Sequence, residues 1–311
     1  MHKGNVIPVQ AHSRLMHWYR WQPYQIPFFN SVARMAMSCK HFLEPKIIRQ
    51  QLKTADAAIH DFYQSKSLFF VFSTIRSGST FLTDLFSQEL QNVQVEHEPN
   101  INDYWSYTKI LRDAQQAQQY VSSYRKKDIY HRWNKQSEMY GEFNPFLLLH
   151  STAIKEQIPQ AKIFHLVRDG REVVRSIMSR EVLGHKDPLS KCIRPPEGDP
   201  YFPAWDRMTR FEKVCWKWQY ENKIIRQSTD SRWQFERLIS DYRYFQQNLL
   251  DPLNISISKT QWQKRVNQPQ HASPQHQLPH WTQWTEKQKA IFEEIGKKEM
   301  NECGYDLNWS S

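Results

Sequence analysis

The sequence predicts an α/β protein in which a parallel sheet is covered by helices on both faces. Short, mostly apolar runs such as Leu68–Phe72 and Lys162–Val167 are bounded by polar turns. A run of this kind is typical of a strand that is buried on both sides of a sheet. Segments with apolar residues at helical spacing follow these runs, and such alternation of strands and helices favours a parallel sheet.

The predicted elements follow one another along the chain. Strands are predicted at Leu68–Phe72, Val93–Glu96, Lys162–Val167 and Trp233–Leu238. Helices are predicted at Phe81–Leu90, 104–138, Glu172–Arg180, Trp205–Gln227, from the fourth strand to about Leu250, and Thr285–Asn301. Residues 184–203 and 254–283 are rich in proline, or in Gln, His and Pro, and are predicted to be irregular. Since ligands bind beyond the carboxyl ends of parallel strands, we expect the functional site in the loops after Phe72 and Val167.

Several aromatic and histidine residues in these elements are expected to be structural. The stripe Trp205, Met208, Phe211, Cys215 and Trp218 has helical spacing, which indicates core packing. His165 lies inside a strand and is expected to be a hydrogen-bonded core residue. For Trp281 and Trp284 two interpretations stay open, packing of the last helix or the border of a sugar-binding cleft.

Composition limits the class of protein and its partners. The chain has 311 residues, of which 39% are hydrophobic, and no apolar run long enough to span a membrane or to serve as a signal peptide. Four cysteines without a C-x-x-C pair predict neither a disulfide framework nor a zinc site, and favour a reducing cytoplasm. The formal charge of +10 favours an anionic partner, which charge alone does not identify; a merely basic surface is the alternative.

Residues 1–65 are predicted to form an aromatic and basic extension that precedes the main domain, residues 66–311. The extension is rich in Trp, Tyr, His and Arg. Packing onto the core is favoured because aromatic residues are usually buried, although residues 12–42 also suit a peripheral contact with a membrane.

The first candidate site is the loop between the strand Leu68–Phe72 and the following helix. At the start of such a helix, backbone N–H groups point outward and form a cradle for an anion. Gly78 permits close approach of the backbone, Ser77, Ser79 and Thr80 add hydroxyls, and Arg76 adds a forked cation that suits phosphate or sulfate. The loop lacks the lysine of nucleotide triphosphatases, which disfavours magnesium–triphosphate chemistry. An ordinary capped helix is the alternative.

The second candidate site follows the strand Lys162–Val167. Arg168 comes at the end of this strand, and Ser176 lies eight positions later, about two helical turns along the next helix. Both side chains can face the same crevice and hold a second phosphate. A helix capped by Asp169 with exposed arginines is the alternative. Together the two sites fit a ligand with two separate phosphates.

At these residues the sequence resembles the family of sulfotransferases that use 3′-phosphoadenosine 5′-phosphosulfate (PAPS), in its carbohydrate-type and bacterial branch. Ile75–Phe81 is similar to the family's 5′-phosphosulfate loop, and Leu166–Ser176 to its 3′-phosphate motif, although the family usually has proline in place of Gly170. The resemblance extends over residues 67–305, with further matches at Glu98-Pro99, Gly141-Glu142, Phe235–Leu238 and Cys303–Tyr305.

The resemblance implies a P-loop, nucleotide-kinase-like fold in one domain and in-line sulfuryl transfer from PAPS without a metal. Arg76 and residues Ser77–Phe81 are then expected to bind the 5′-phosphosulfate, with Arg76 also stabilising charge on the leaving oxygen. Arg168 and Ser176 are expected to bind the 3′-phosphate. Glu98 is implied as the base that takes the acceptor's proton, with His97 second and Glu96 third. Glu142 is expected either to order the site or to be structural.

The implied acceptor is a hydroxyl, best fitted by a carbohydrate or glycolipid, with a phenol or a peptide tyrosine as alternatives. A bacterial-type cytoplasmic enzyme is expected. Two other functions remain: a P-loop small-molecule kinase, which the missing lysine disfavours, and a non-enzymatic basic protein that binds RNA or a membrane, for which no nucleic-acid motif is present.

Overall fold

The central element is a five-stranded parallel sheet with the strand order β2-β3-β1-β4-β5. The computed structural model describes residues 56–133, 136–185, 187, 192–229, 231–268 and 278–309. The strands are β1 (Ser67–Phe72), β2 (Val93–His97), β3 (Met139–Phe143), β4 (Lys162–Val167) and β5 (Ser231–Gln234). The predicted fold class, an α/β protein with a parallel sheet flanked by helices, is confirmed. Residues 12–42, for which membrane contact was considered, lie outside the described part.

Helices cover both faces of the sheet. They are α1 (Asp56–Ser65), α2 (Ser79–Glu89), α3 (Ile101–Ile110), α4 (Gln116–Tyr120), α5 (Lys126–Arg132), α6 (Ser151–Gln157), α7 (Gly170–Met178), α8 (Arg210–Ser228), α9 (Phe235–Ser240), α10 (Tyr242–Phe245), α11 (Asp251–Leu253), α12 (Lys259–Val266) and α13 (Glu286–Glu302). Two π-helical turns, Val121–Arg125 and Gln246–Leu250, join neighbouring helices, and short 3₁₀ turns occur at Leu148–His150, Trp205–Arg207 and Trp281–Gln283.

The register of the strands brings their carboxyl ends to one edge. Phe72 of β1 is paired with His165 of β4, and Phe143 of β3 is paired with Val71 and with His97 of β2. Because β1 lies in the middle and is buried from Leu68 to Phe72, the loop that follows it comes up at the centre of this edge. Loops after β1, β2 and β4 therefore meet there.

The structure corrects two strand predictions. The strand β3 was missed, since Met139–Phe143 contains a glycine and a glutamate and does not read as an apolar run. Residues Phe235–Leu238 were predicted as part of the fourth strand but belong to α9, because β5 ends at Gln234. The apolar pattern continues across that boundary, which hides the change from strand to helix.

Helix boundaries also differ from prediction. The long helix begins at Arg210 with a capping box at Thr209, so Trp205 lies in a separate 3₁₀ turn. Part of the segment predicted as irregular is helical, since α12 occupies Lys259–Val266 with Ser258 as its cap. α7 begins at Gly170, two residues before the predicted start.

The tryptophan stripe packs as expected. Trp205, Cys215 and Trp218 are buried, and Trp284 is buried between Phe211 and Phe292 with edge-to-face ring contacts. His165 is a buried core histidine whose Nε2 lies 2.9 Å from Oδ1 of Asn222. Burial lowers the pKa of His165 to about 4, so this side chain stays neutral near pH 7.

The structure also bears on the predictions about cysteines, metal sites and membrane spans. The thiols of Cys192, Cys215 and Cys303 are free, while Cys39 lies outside the described residues. Within the described ranges no cluster of metal-ligating side chains occurs. No helix in the part of the chain that the structure describes is long and apolar enough to cross a membrane.

Gly170, where the resembled family has proline, is in close contact with the core. A Cβ at this position would lie 2.8 Å from the Trp218 ring and 2.9 Å from the Phe292 ring. We expect Gly170→Ala to lower the free energy of unfolding by about 1–3 kcal/mol, because buried rings must move to make room. Denaturant unfolding measures this.

The matched control for that prediction is Gly296→Ala, within α13. Its Cβ would lie 3.4 Å from Phe292, an ordinary contact, and alanine is favoured over glycine inside a helix by up to about 1 kcal/mol. Equal stability of Gly170→Ala and Gly296→Ala would contradict the packing argument.

Candidate functional site

The loop 73–78, between β1 and α2, has the backbone conformation of an anion cradle. Arg76 (φ 71°) and Gly78 (φ 95°) both adopt left-handed backbone angles, which turn successive N–H groups toward one side. A Cβ at Gly78 would lie 2.1 Å from the Phe235 ring, so this position requires glycine for space as well as for its φ angle. The loop therefore packs tightly on α9 while its backbone turns into the helix.

The remaining predicted residues of this site lie at the start of α2. Ser77 is buried and its hydroxyl shares a 2.8 Å hydrogen bond with the hydroxyl of Thr74. Ser79, Thr80 and Phe81 form the first turn of α2, which follows Gly78 without a side-chain cap. The N–H groups of such a first turn have no partner within the helix, and they favour an anion.

The second predicted site lies at the neighbouring strand end. Asp169 caps α7 by accepting a 2.8 Å hydrogen bond from the N–H of Arg171, so the capped-helix interpretation is correct as far as it goes. Arg168, whose side chain is 27% exposed, has its guanidinium over the Phe235 ring and an ion pair of 3.6 Å with Glu172. The cap and the arginine thus coexist on one turn.

The two predicted sites meet. Arg76 Nε donates a 2.9 Å hydrogen bond to Ser176 Oγ, which links the loop after β1 to the helix after β4. Arg168 Nη1 donates to the backbone carbonyl of Arg76 at 3.2 Å. Arg76, Arg168 and Ser176 therefore lie at one place on the carboxyl edge, and two anionic groups of one small ligand can reach them together.

The electrostatics of this place favour an anion. Burial, together with the nearby charges of Arg180 and Arg168, lowers the pKa of Arg76 to about 10, and the carboxylate of Glu98 opposes this shift. Arg76 is still protonated near neutral pH, but it is partly desolvated among like charges. An anion placed there would relieve that repulsion.

The three candidates for the catalytic base, Glu96, His97 and Glu98, lie at the end of β2 or directly after it, and their side chains have different surroundings. Glu98 has a left-handed backbone (φ 46°), and its N–H donates to the carbonyl of Phe143 at 3.1 Å. His97 Nε2 lies 2.9 Å from Ser79 Oγ, so the histidine contacts the first turn of α2. Glu96 instead accepts a 2.7 Å hydrogen bond from Gln94, away from this loop, and burial raises the pKa of Glu96.

Glu142 lies in a buried ionic network behind β2 and β3. Its carboxylate accepts two hydrogen bonds from Arg125, at 2.5 and 2.6 Å, and Arg125 also pairs with Asp103 of α3 at 2.8 Å. Burial raises the pKa of Asp103 to about 7. Glu142 thus connects β3 to α3, the helix that follows the Glu98 turn, and supports the site from the interior.

Sequence reasoning missed the support that α9 and the C-terminal segment give. Phe235 packs on both Gly78 and Arg168, and Glu236 accepts a 3.1 Å hydrogen bond from the N–H of Asp169. Tyr305 donates a 2.6 Å hydrogen bond to Glu236. The motif matches at Phe235–Leu238 and Cys303–Tyr305 were the only signal, and they gave no role to these side chains.

No protein-family model matches the chain, and no curated protein matches it in sequence. Among solved structures it is similar to the sulfotransferase domain of the Synechococcus PCC 7002 olefin synthase, with 16% identity, a TM-score of 0.38, and coverage of 63% of this chain and 76% of that chain. It is also similar to sulfotransferase STF9 from Mycobacterium avium (10% identity, TM-score 0.41, 80% of this chain and 82% of that chain). Sulfotransferase STF1 from Mycobacterium tuberculosis H37Rv has 13% identity and a TM-score of 0.41, over 80% of this chain and 83% of that chain. All three of these structures are sulfotransferases by name.

Proposed function

We propose that this protein transfers a sulfuryl group from PAPS to a hydroxyl of an acceptor, by direct in-line transfer. The observation that carries the proposal is the junction of two cationic strand ends. Arg76 Nε donates a 2.9 Å hydrogen bond to Ser176 Oγ, and Arg168 Nη1 donates a 3.2 Å hydrogen bond to the Arg76 carbonyl. PAPS carries anionic groups on the 5′ and 3′ oxygens of one ribose, so both groups lie close enough to occupy this junction.

Each residue at the junction has a role in the proposal. Arg76 and the backbone N–H groups of Ser77–Phe81 bind the 5′-phosphosulfate. Arg168 and Ser176 bind the 3′-phosphate, which distinguishes PAPS from ordinary adenylates. Supporting this assignment, the Arg168 side chain is held over Phe235 and remains partly exposed.

Transfer then follows with balanced bonds. The acceptor oxygen forms a bond to sulfur while the bond between sulfur and the bridging phosphate oxygen breaks. Glu98 takes the acceptor's proton, and the product nucleotide, 3′-phosphoadenosine 5′-phosphate, leaves with the negative charge that Arg76 stabilises. The chemistry is mainly positioning and charge stabilisation, and the proposal includes no metal.

The acceptor in this proposal is a carbohydrate or glycolipid hydroxyl, on the basis of the arginine-type loop and the Glu98-Pro99 turn. A cytoplasmic location is part of the proposal and is in keeping with the free thiols of Cys192, Cys215 and Cys303.

The first test is thermal stabilisation by 3′-phosphoadenosine 5′-phosphate compared with AMP. We expect the bisphosphate to raise the unfolding temperature and AMP to raise it much less, because a ligand that binds only the folded chain stabilises it according to its affinity. In Arg168→Gln the affinity for the bisphosphate should fall by about 10–100-fold, as expected for lost hydrogen bonds to a charged group, while the affinity for AMP changes little.

The controls for this test are AMP itself and ATP with magnesium. Equal losses for AMP and the bisphosphate in Arg168→Gln would refute the assignment of the 3′-phosphate. Turnover of ATP with magnesium, together with no response to the bisphosphate, would favour the kinase instead.

A further inference from the structure

A cavity of about 460 Å³ lies beside the C-terminal end of α7. Residues of three stretches of the chain line it, among them Leu183, Gly184, Arg194, Trp205, Arg210 and Lys213. It lies near the junction described above, because the lining residue Arg210 donates a hydrogen bond to the carbonyl of Arg180, whose side-chain charge acts on Arg76. A molecule in this cavity would therefore lie close to a nucleotide bound at Arg76 and Ser176.

The wall of the cavity is fixed by Arg210. Its guanidinium donates to the carbonyls of Ile177 and Met178 at 3.2 Å and to that of Val182 at 3.1 Å. Leu183 next to them has a left-handed backbone (φ 56°), a conformation that costs energy in a non-glycine residue and persists only where the surroundings hold it. The turn is thus braced in one conformation.

The cations of the lining outnumber its carboxylates. Arg194, Arg210 and Lys213 face a single lining acid, Asp206, whose side chain is 85% exposed and 3.4 Å from Arg194. Glu181 and Asp187 act on Arg210 from outside the lining. Arg210 is engaged by these carboxylates and by the backbone carbonyls, so Lys213 and Arg194, which among the described residues is paired only with the exposed Asp206, are the cations that can attract a ligand.

Both of these cations lack a full complement of partners. Among the described residues, Arg194 Nε is buried without a hydrogen-bond partner, which is costly for a charged donor. Lys213 Nζ lies 5.2 Å from the centre of the Trp205 ring, and within the same described part of the chain no carboxylate lies within ion-pair distance of it. A carboxylate or sulfate group in the cavity would supply a partner of opposite charge to these cations.

We propose that this cavity binds an acidic group of the acceptor, so that the acceptor is an anionic rather than a neutral hydroxyl compound. The inference rests on the proposed function, because only a transferase has an acceptor. The binding site itself is argued from Arg194, Lys213 and the turn that Arg210 holds in place. It adds a substrate class to the reaction: acidic saccharides, with the carboxylate or sulfate held in the cavity and the hydroxyl toward Glu98.

The test compares a matched pair of sugars on the full chain by titration calorimetry, with and without saturating 3′-phosphoadenosine 5′-phosphate. The probes are cellohexaose and the same hexamer oxidised at C6 to polyglucuronate. We expect the acidic hexamer to bind about tenfold tighter or more than the neutral one, as charged hydrogen bonds require. The double variant Arg194→Gln/Lys213→Gln should lose that preference and keep the affinity for the nucleotide.

The control variant is Lys297→Gln/Lys298→Gln, which removes the same charge from exposed positions on α13. Equal binding of the two hexamers, no binding of the acidic one, or an equal loss in the control variant overturns the inference. If the acidic preference depends on Arg194 and Lys213 but the nucleotide does not bind, the cavity site stands and the proposed function fails. If the nucleotide binds but no preference for the acidic hexamer depends on Arg194 and Lys213, the proposed donor site stands and the inference of an acidic acceptor is wrong.

Discussion

Replacing Arg76 with alanine should lower kcat/KM for sulfuryl transfer by about 10²–10³-fold, as for other groups that stabilise charge developing in a transition state. Arg76 is the residue through which the two strand ends are joined, since its side chain contacts Ser176 and its carbonyl accepts from Arg168. Its loss removes both the proposed ligand of the 5′-phosphosulfate and the link to the neighbouring helix. Steady-state transfer from radiolabelled PAPS measures the effect.

A lysine at position 76 provides the sharper comparison. Arg76→Lys keeps the positive charge but loses the planar fork, so it should recover only part of the activity. Arg112→Ala, at an exposed position, is the matched control and should behave like the unaltered chain. If Arg76→Ala and Arg112→Ala have the same kcat/KM, with both proteins folded, Arg76 does not act on the donor.

Replacing Glu98 with glutamine should lower kcat by about 10²–10⁴-fold, the usual contribution of a general base, while the affinity for 3′-phosphoadenosine 5′-phosphate stays unchanged. Glutamine has nearly the same shape and cannot accept the proton. The Glu98 carboxylate is near enough to Arg76 to influence its pKa, which places it beside the proposed donor site. Single-turnover transfer at saturating PAPS separates this effect from binding.

His97 gives the contrasting result for the same experiment. Its Nε2 is engaged with Ser79 Oγ at 2.9 Å, so His97→Ala should loosen the first turn of α2 and weaken nucleotide binding more than it lowers kcat. Full activity in Glu98→Gln, together with a loss of kcat only in the His97 variant, would exchange the two roles.

The sequence predicts those parts of the fold whose pattern is local. β1 and β4 are read correctly because both are apolar runs buried in the middle of the sheet. β3 has the sequence MYGEF, and its buried glutamate pairs with Arg125, which comes from a π-helical turn in another part of the fold. Such long-range pairing leaves no periodicity in the strand itself, and so the strand was missed.

The same difference holds for the site. The loop residues Arg76 and Gly78 can be predicted as site residues from their residue types and from their position between a strand and a helix. The contact between Arg76 and Ser176 joins residues a hundred positions apart, and no local pattern contains it. Likewise, Phe235 reads as one more apolar residue, although its ring decides that position 78 must be glycine.

The hydrogen bond from Arg76 to Ser176 also reduces the free energy that an anion gains by binding to Arg76. Since the guanidinium already has an internal partner, an incoming ion gains only the difference between the new contact and the old one. Weakly interacting monovalent ions such as chloride gain little by this exchange, whereas an oxyanion with several acceptor oxygens can engage the arginine and the serine at once. We therefore expect the junction to bind oxyanions in preference to chloride, even when chloride is in large excess.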